Sequence, residues 1–232
     1  MSDRNLIPYF LTFGPILLVG AFMMWPASEA IGLRGMQSLV DEMDSLMPLL
    51  IAAMLGTMMV LGGVYLMISE MMENTSGMNK QLLNVASVLI VVTMASFVFG
   101  LGSNVAVINE ADGEIDAEDD SFAYENEADR SNTLSNTFDA GNTVWTMSPV
   151  TWGLSLVLIG LVAFMMKRPE SAMDYVMPAL MPVGTLFLSL PIIGDNGLFN
   201  MVFPIVLLVH IIIGGLMLSG KVTVPGSTEE GA

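Results

Sequence analysis

The chain has no cysteine, one histidine and only seven lysines and arginines in 232 residues. Without cysteine there are no disulfides, no thiolate metal sites and no cysteine nucleophile. The lone His210 rules out bis-histidine haem ligation and any histidine-rich metal centre. No nucleotide-binding motif occurs, and no residue cluster calls for a cofactor or a metal. Charged residues are scarce at 13%, against about 25% in soluble domains. The scarcity falls on the basic side, because 23 acids leave a formal net charge of −16. Nucleic acid needs a partner of the opposite sign and is not expected to bind.

What is abundant is apolar sequence, 53% of the chain, with 22 methionines and 22 glycines. It is gathered into six runs, Leu6–Trp25, Leu46–Ile68, Leu82–Leu101, Met147–Met166, Val176–Ile193 and Leu198–Leu218, with no Lys or Arg inside any of them. At 1.5 Å rise per residue such runs cross a hydrocarbon layer of about 30 Å. In lipid an open chain satisfies its backbone only as helix. The expected fold is therefore all-α and integral to the membrane: a six-transmembrane-helix bundle with an external acidic loop and a short interfacial amphipathic helix. The aromatic residues Tyr9, Trp25, Tyr65, Trp145, Trp152 and Tyr175 fall mainly near the run ends, as in an interfacial belt.

Loop charges orient the bundle. With the N-terminus inside, the inner segments hold Arg4, Lys80, Lys167, Arg168 and Lys221, and the outer ones hold Arg34 and Arg130. The positive-inside rule then places both termini in the cytoplasm and residues 104–146 outside a cell membrane. That segment has eleven acids against Arg130 alone and so carries −10 of the net −16. Rich in Asn, Ser, Thr and Asp, it reads as a mobile loop without enough apolar surface to fold alone. It is not a calcium loop of the EF-hand kind, since placing Gly113 at the sixth position puts Ile108 where an acid is required. Ser28-Glu29-Ala30 has the small-x-small form of a signal cleavage site, but the run before it exceeds the usual 7–15 residues, so a retained helix is expected.

The chain divides into residues 1–103 with three transmembrane helices, the loop 104–146, residues 147–220 with three more, and a cytoplasmic tail 221–232. Within 31–45, Met36, Leu39, Val40 and Met43 lie at helical spacing beside Asp41, Glu42 and Asp44, which reads either as an interfacial helix or as an extension of the second run. Small residues four apart, Ala52 and Gly56 in the second run and Ser96 and Gly100 in the third, permit close helix packing. Pro178, Pro182 and Pro191 crowd the fifth run. Pro178 fits a first turn, Pro182 is expected to kink the helix and Pro191 to end it. No internal repeat is visible.

His210 is the most pointed residue, because an ionisable group in mid-bilayer is costly and marks a functional site by default. The plain alternative is a neutral imidazole bonded to a neighbouring helix. Ser155, in Trp152-Gly153-Leu154-Ser155, lies at similar depth on the fourth run and would pair with His210 as nucleophile and base. Six spans, an inside N-terminus, the Gly153-x-Ser155 fragment on the fourth and His210 before Gly214 and Gly215 on the sixth resemble the rhomboid intramembrane proteases. That resemblance implies Ser155 and His210 as catalytic residues. The chain departs from the family pattern in having Leu156 after the serine, His210-x-x-x-Gly214 spacing and no second-span histidine to assist an oxyanion.

Three functions stay open at this point. The leading one is a non-catalytic membrane scaffold or subunit of a larger complex, with the lipid bilayer and other membrane subunits as partners. The others are a small-solute or ion transporter using His210 and the proline-rich fifth helix, and a rhomboid-like hydrolase or inactive relative.

Overall fold

A computed structural model describes residues 5–26, 35, 39, 43–111, 127–167, 169–193 and 196–226. Among these residues the secondary structure is helical throughout, with no strand. In chain order the helices are α1 (Ile7–Met23), α2 (Met43–Glu73), α3 (Gly77–Ala111), α4 (Glu127–Trp145), α5 (Met147–Met166), α6 (Leu180–Ile193) and α7 (Asn196–Leu218), with a 3₁₀ turn at Ala172–Tyr175 before α6. Five helical segments are long and apolar enough to cross a membrane: Asp44–Glu73, Gly77–Glu110, Ala128–Met166, Ala172–Ile193 and Met201–Leu218. The apolar helix α1 is shorter, at 17 residues. These helices mark the chain as a membrane protein.

Helix α1 begins where Asn5 Oδ1 accepts the Ile7 N–H at 3.0 Å. Pro8 falls in the first turn, where no N–H is needed. The helices then close a ring: α1 packs on α2 and α7, α2 on α3, α3 on α5, α5 on α6, and α6 on α7. Glycines bring the axes close. A Cβ on Gly14 of α1 would lie 2.6 Å from Val60 N of α2, and one on Gly153 of α5 would lie 2.6 Å from Leu188 N of α6. Lipid supplies no hydrophobic force between helices, so close backbone contact and dispersion hold such a ring.

Aromatic rings fill its centre. Phe203 of α7 meets Phe22 of α1 at 6.2 Å between centroids, Phe97 of α3 at 6.4 Å, Trp152 of α5 at 6.3 Å and Phe187 of α6 at 6.1 Å. Trp152, Phe97 and Phe187 are fully buried. These offset and edge-on contacts are the arrangements that aromatic quadrupoles favour.

Two expectations need correction. The segment 104–146 is not loop over its described part, since α3 continues to Ala111 and residues Glu127–Trp145 form α4, packed on α3 outside the ring. The reason is a stripe at helical spacing, Leu134, Phe138, Gly141 and Trp145, whose members are buried or half-buried. It ends on a Trp145–Phe97 ring contact at 4.7 Å. Residues 112–126, with most of the acids, lie outside the described residues. The second correction concerns the fifth run. The helix proper starts at Leu180, and Pro182 lies in its first turn instead of kinking its middle. Residues 176–180 form irregular turns, with Leu180 N–H donating to Met177 O at 3.1 Å and Met181 N–H to Pro178 O at 3.0 Å. Pro178 and Pro182 both lack an N–H, so an unbroken helical ladder cannot run through them. Pro191 lies near the helix end, as expected. Of the interfacial segment 31–45, residues 43–45 belong to α2, and the rest apart from Gly35 and Leu39 lies outside the described residues.

Candidate functional site

The mid-helix polar residues are sealed. Ser155 is 0% exposed and His210 1%. Ser155 Oγ donates across the α5–α3 interface to Ala86 O at 3.1 Å. His210 Nδ1 lies 2.7 Å from Val206 O, one turn back on its own helix. In a neutral ring this makes Nδ1 the N–H donor and leaves Nε2 as a bare acceptor. Nε2 is buried without a hydrogen-bond partner, as is Trp152 Nε1, and the two rings meet edge-on at 5.5 Å between centroids. Ser155 and His210 thus point to separate backbone carbonyls and make no hydrogen bond with each other. Nearby, Thr93 of α3 and Thr151 of α5 share a hydroxyl–hydroxyl bond of 2.7 Å. Each of these two hydroxyls also donates to, or lies beside, a carbonyl of its own helix. The centre is a packed core with its hydroxyls committed to structure.

A different environment lies at one end of the bundle. Asn5, before α1, donates to Glu70 near the end of α2 at 3.2 Å, so the start of α1 and the end of α2 share that end. The turn after α2 with the start of α3, the end of α5 and the segment leading into α6 meet there around a half-open cavity of about 730 Å³. Its wall is completed by the segment after α7. That helix stops in a Schellman turn: Gly220 adopts φ +67°, its N–H donates to Met217 O, and Lys221 N–H donates to Leu216 O, both at 3.0 Å. The chain then runs Lys221-Val222-Thr223-Val224, where Val222 and Val224 are buried while Lys221 and Thr223 are exposed. Side chains alternate across an extended segment, so the valines anchor it and the polar pair lines the cavity rim. Gly226, at φ +87°, ends the strap where a Cβ would come within 2.7 Å of both Asn74 Cβ and Met166 Cε.

Two lysines line this cavity, Lys167 and Lys221, against one acid, Asp174. Lys167 Nζ pairs with Asp174 Oδ1 at 2.6 Å. The other oxygen, Oδ2, accepts the Ser171 N–H and Oγ–H at 2.9 Å each and the Glu170 N–H at 3.2 Å. Asp174 is therefore a fixed negative post that orients Lys167. Among the described residues Lys221 makes no ion pair, and Thr75, Ser76, Asn79 and Thr223 make no side-chain hydrogen bond. Met165, Met166, Met173 and Met177 add apolar side chains to its lining.

Reading the sequence alone missed this cavity, because four separated segments, 74–79, 163–167, 173–178 and 220–226, assemble it. Two local signals were present: the Ser171-x-x-Asp174 capping box and the alternation Lys221–Val224 after a glycine. Among the described residues no group of three or more His, Asp or Glu is placed to hold a metal ion. No protein-family model matches the chain, and no curated protein or solved structure matches it either.

Proposed function

We propose that the chain is a non-catalytic integral component of a larger membrane assembly, with six spanning helices and both termini on the cytoplasmic side of a cell membrane. One observation carries this reading above the rest. The centre of the helical ring, where a solute path or a catalytic cleft would open, is filled by Phe97, Trp152, Phe187 and Phe203. The sixth span is α1, which at about 26 Å is near the lower length limit for crossing. Orientation rests on the positive-inside rule: Lys167 and Lys221 share one cavity, with Lys80 one residue beyond its lining residue Asn79, while Arg130 stands in the acidic segment.

The outward faces support association. Ile51, Leu55, Val88, Ile192, Met201 and Leu208 are all more than half exposed. Lipid and neighbouring subunits are equally suited to cover such surfaces, and subunits would add backbone packing. The test is native mass spectrometry of the chain withdrawn from its own membrane in lipid discs. Fixed stoichiometry with the same partner chains is expected. A population of lone monomers across mild extraction conditions would contradict the proposal.

Transport has one observation in its favour, the unpartnered His210 Nε2 facing Trp152 in the bundle interior. It requires a water path past His210, which the 1% exposure of that residue closes in this conformation. Proteoliposomes are expected to show no ion or proton flux above empty vesicles, and flux abolished by His210→Phe would favour transport instead.

A further inference from the structure

We propose that the cavity between Lys167 and Lys221 binds a phosphate ester, with the glycerophosphate headgroup of an anionic lipid as the favoured source. Its volume, about 730 Å³, falls in the range of small-molecule sites, about 300–1,000 Å³. The lining matches an anionic amphiphile. Lys221 has no counter-charge among the described residues, while Lys167 is held in place by Asp174. Among the described residues, Thr75, Ser76, Asn79 and Thr223 offer hydroxyl and amide groups with no protein partner. Met165, Met166, Met173 and Met177 supply pliable apolar side chains suited to the start of acyl chains.

Charge and position point to phosphate. Among the described residues the cavity lining carries net +1, from two lysines and one aspartate, on a chain of net −16. The acidic segment that carries most of that negative charge begins beyond Ala111, at the far end of α3. This helix has 35 residues and is about 52 Å long. Glu70 and Glu73 end α2 nearby but do not line the cavity, and Glu70 is bonded to Asn5. Because the cavity lies where the helices end, it stands at headgroup depth, where basic pockets between spans meet lipid phosphates. The amides of the first turn of α3, beside Ser76 and Asn79, add to the attraction.

The test uses the full chain in detergent, titrated with phosphatidylglycerol and, separately, with glycerol 3-phosphate, with bound species counted by native mass spectrometry. One tightly held phosphatidylglycerol is expected. Lys221→Gln and Lys167→Gln should each weaken it about tenfold, the scale of one charge-assisted hydrogen bond. Lys80→Gln, on the same end but outside the cavity lining, should leave it unchanged. Because Lys221 is exposed, its variant is expected to fold, and an unchanged melting temperature checks this. Glycerol 3-phosphate binding as tightly as the lipid would assign the phosphate to a soluble ester, keeping the site and overturning its lipid source. Neither ligand binding, or equal loss in all three variants, would overturn the site itself.

Discussion

At the centre of the bundle, Ser155 and His210 each turn a polar atom to a backbone carbonyl and are shut away from solvent. At the end beyond Leu218, the side chains of Lys221, Thr223, Ser76 and Asn79 have no hydrogen-bond partner among the described residues and line an open cavity. His210 is only eight residues before Leu218, about 12 Å along the helix, yet the two regions obey different physics. In the apolar interior a polar group without a partner is expensive, so most of those present have been bound into the frame, with Ser148 Oγ, Trp152 Nε1 and His210 Nε2 as the exceptions. At the interface water satisfies such groups at little cost, and they stay available to a ligand. A mid-membrane histidine draws the eye in a sequence, but unused capacity that solvent can reach is the better pointer to a site, and here it lies at the end.

The sharpest way to break this contrast is to open the centre. Trp152→Ala removes the ring that touches Phe97, Phe187, Phe203 and His210. Truncating a buried aromatic of this kind is expected to cost about 3–5 kcal/mol. A large drop in melting temperature in lipid discs would show it, and no drop would mean that the aromatic plug does not hold the ring together. Gly153→Leu attacks the ring from its seam, because α6 backbone occupies the space a side chain would need. The expected loss is about 1–3 kcal/mol or more, read by the same melting experiment.

Smaller changes sharpen the comparison. Ser155→Ala removes only the bond to Ala86, and Thr93→Val only the link to Thr151. Each is expected to cost about 0.6 kcal/mol, the average for such bonds between membrane helices. Double-mutant cycles measure this, and a Ser155→Ala variant that lost a hydrolytic activity of the wild type would contradict the structural role. At the cavity end the smallest effect is expected from Asp174→Asn, which removes the charge that pairs with Lys167 and weakens the bonds from the Ser171 and Glu170 N–H groups. Amide exchange at Ser171 should rise in the variant, and unchanged exchange would mean that Asp174 does not order this turn.

Much of the frame was legible in the sequence. Each of the six apolar runs overlaps a helix of the structure, because lipid leaves the backbone no other economy and 18 or more apolar residues state it plainly. Helix α4 was not, since its stripe Leu134, Phe138, Gly141 and Trp145 is diluted by polar neighbours that lower the average without disturbing the period. The prolines of the fifth run announced distortion, but its place depended on where the helix begins. A start at Val176 leaves Pro182 in the interior, and a start at Leu180 makes it harmless. His210 was legible as a deep residue, and its bond to Val206 has the i−4 spacing any helix offers. The cavity was legible only as a bias of lysines toward one face, because its walls come from segments as far apart as Asn74 and Gly226.

The native chain has no cysteine, which allows the central claim to be tested directly by single-cysteine labelling in lipid discs. Ser155→Cys, His210→Cys and Lys221→Cys variants would be exposed to a membrane-impermeant thiol reagent added to both faces. Rapid modification at position 221 with none at 155 or 210 is the expected result, a sealed aromatic centre beside an accessible cavity. Labelling at 155 or 210 as fast as at 221 would reveal a water path through the bundle and contradict the account of a non-catalytic, non-conducting component.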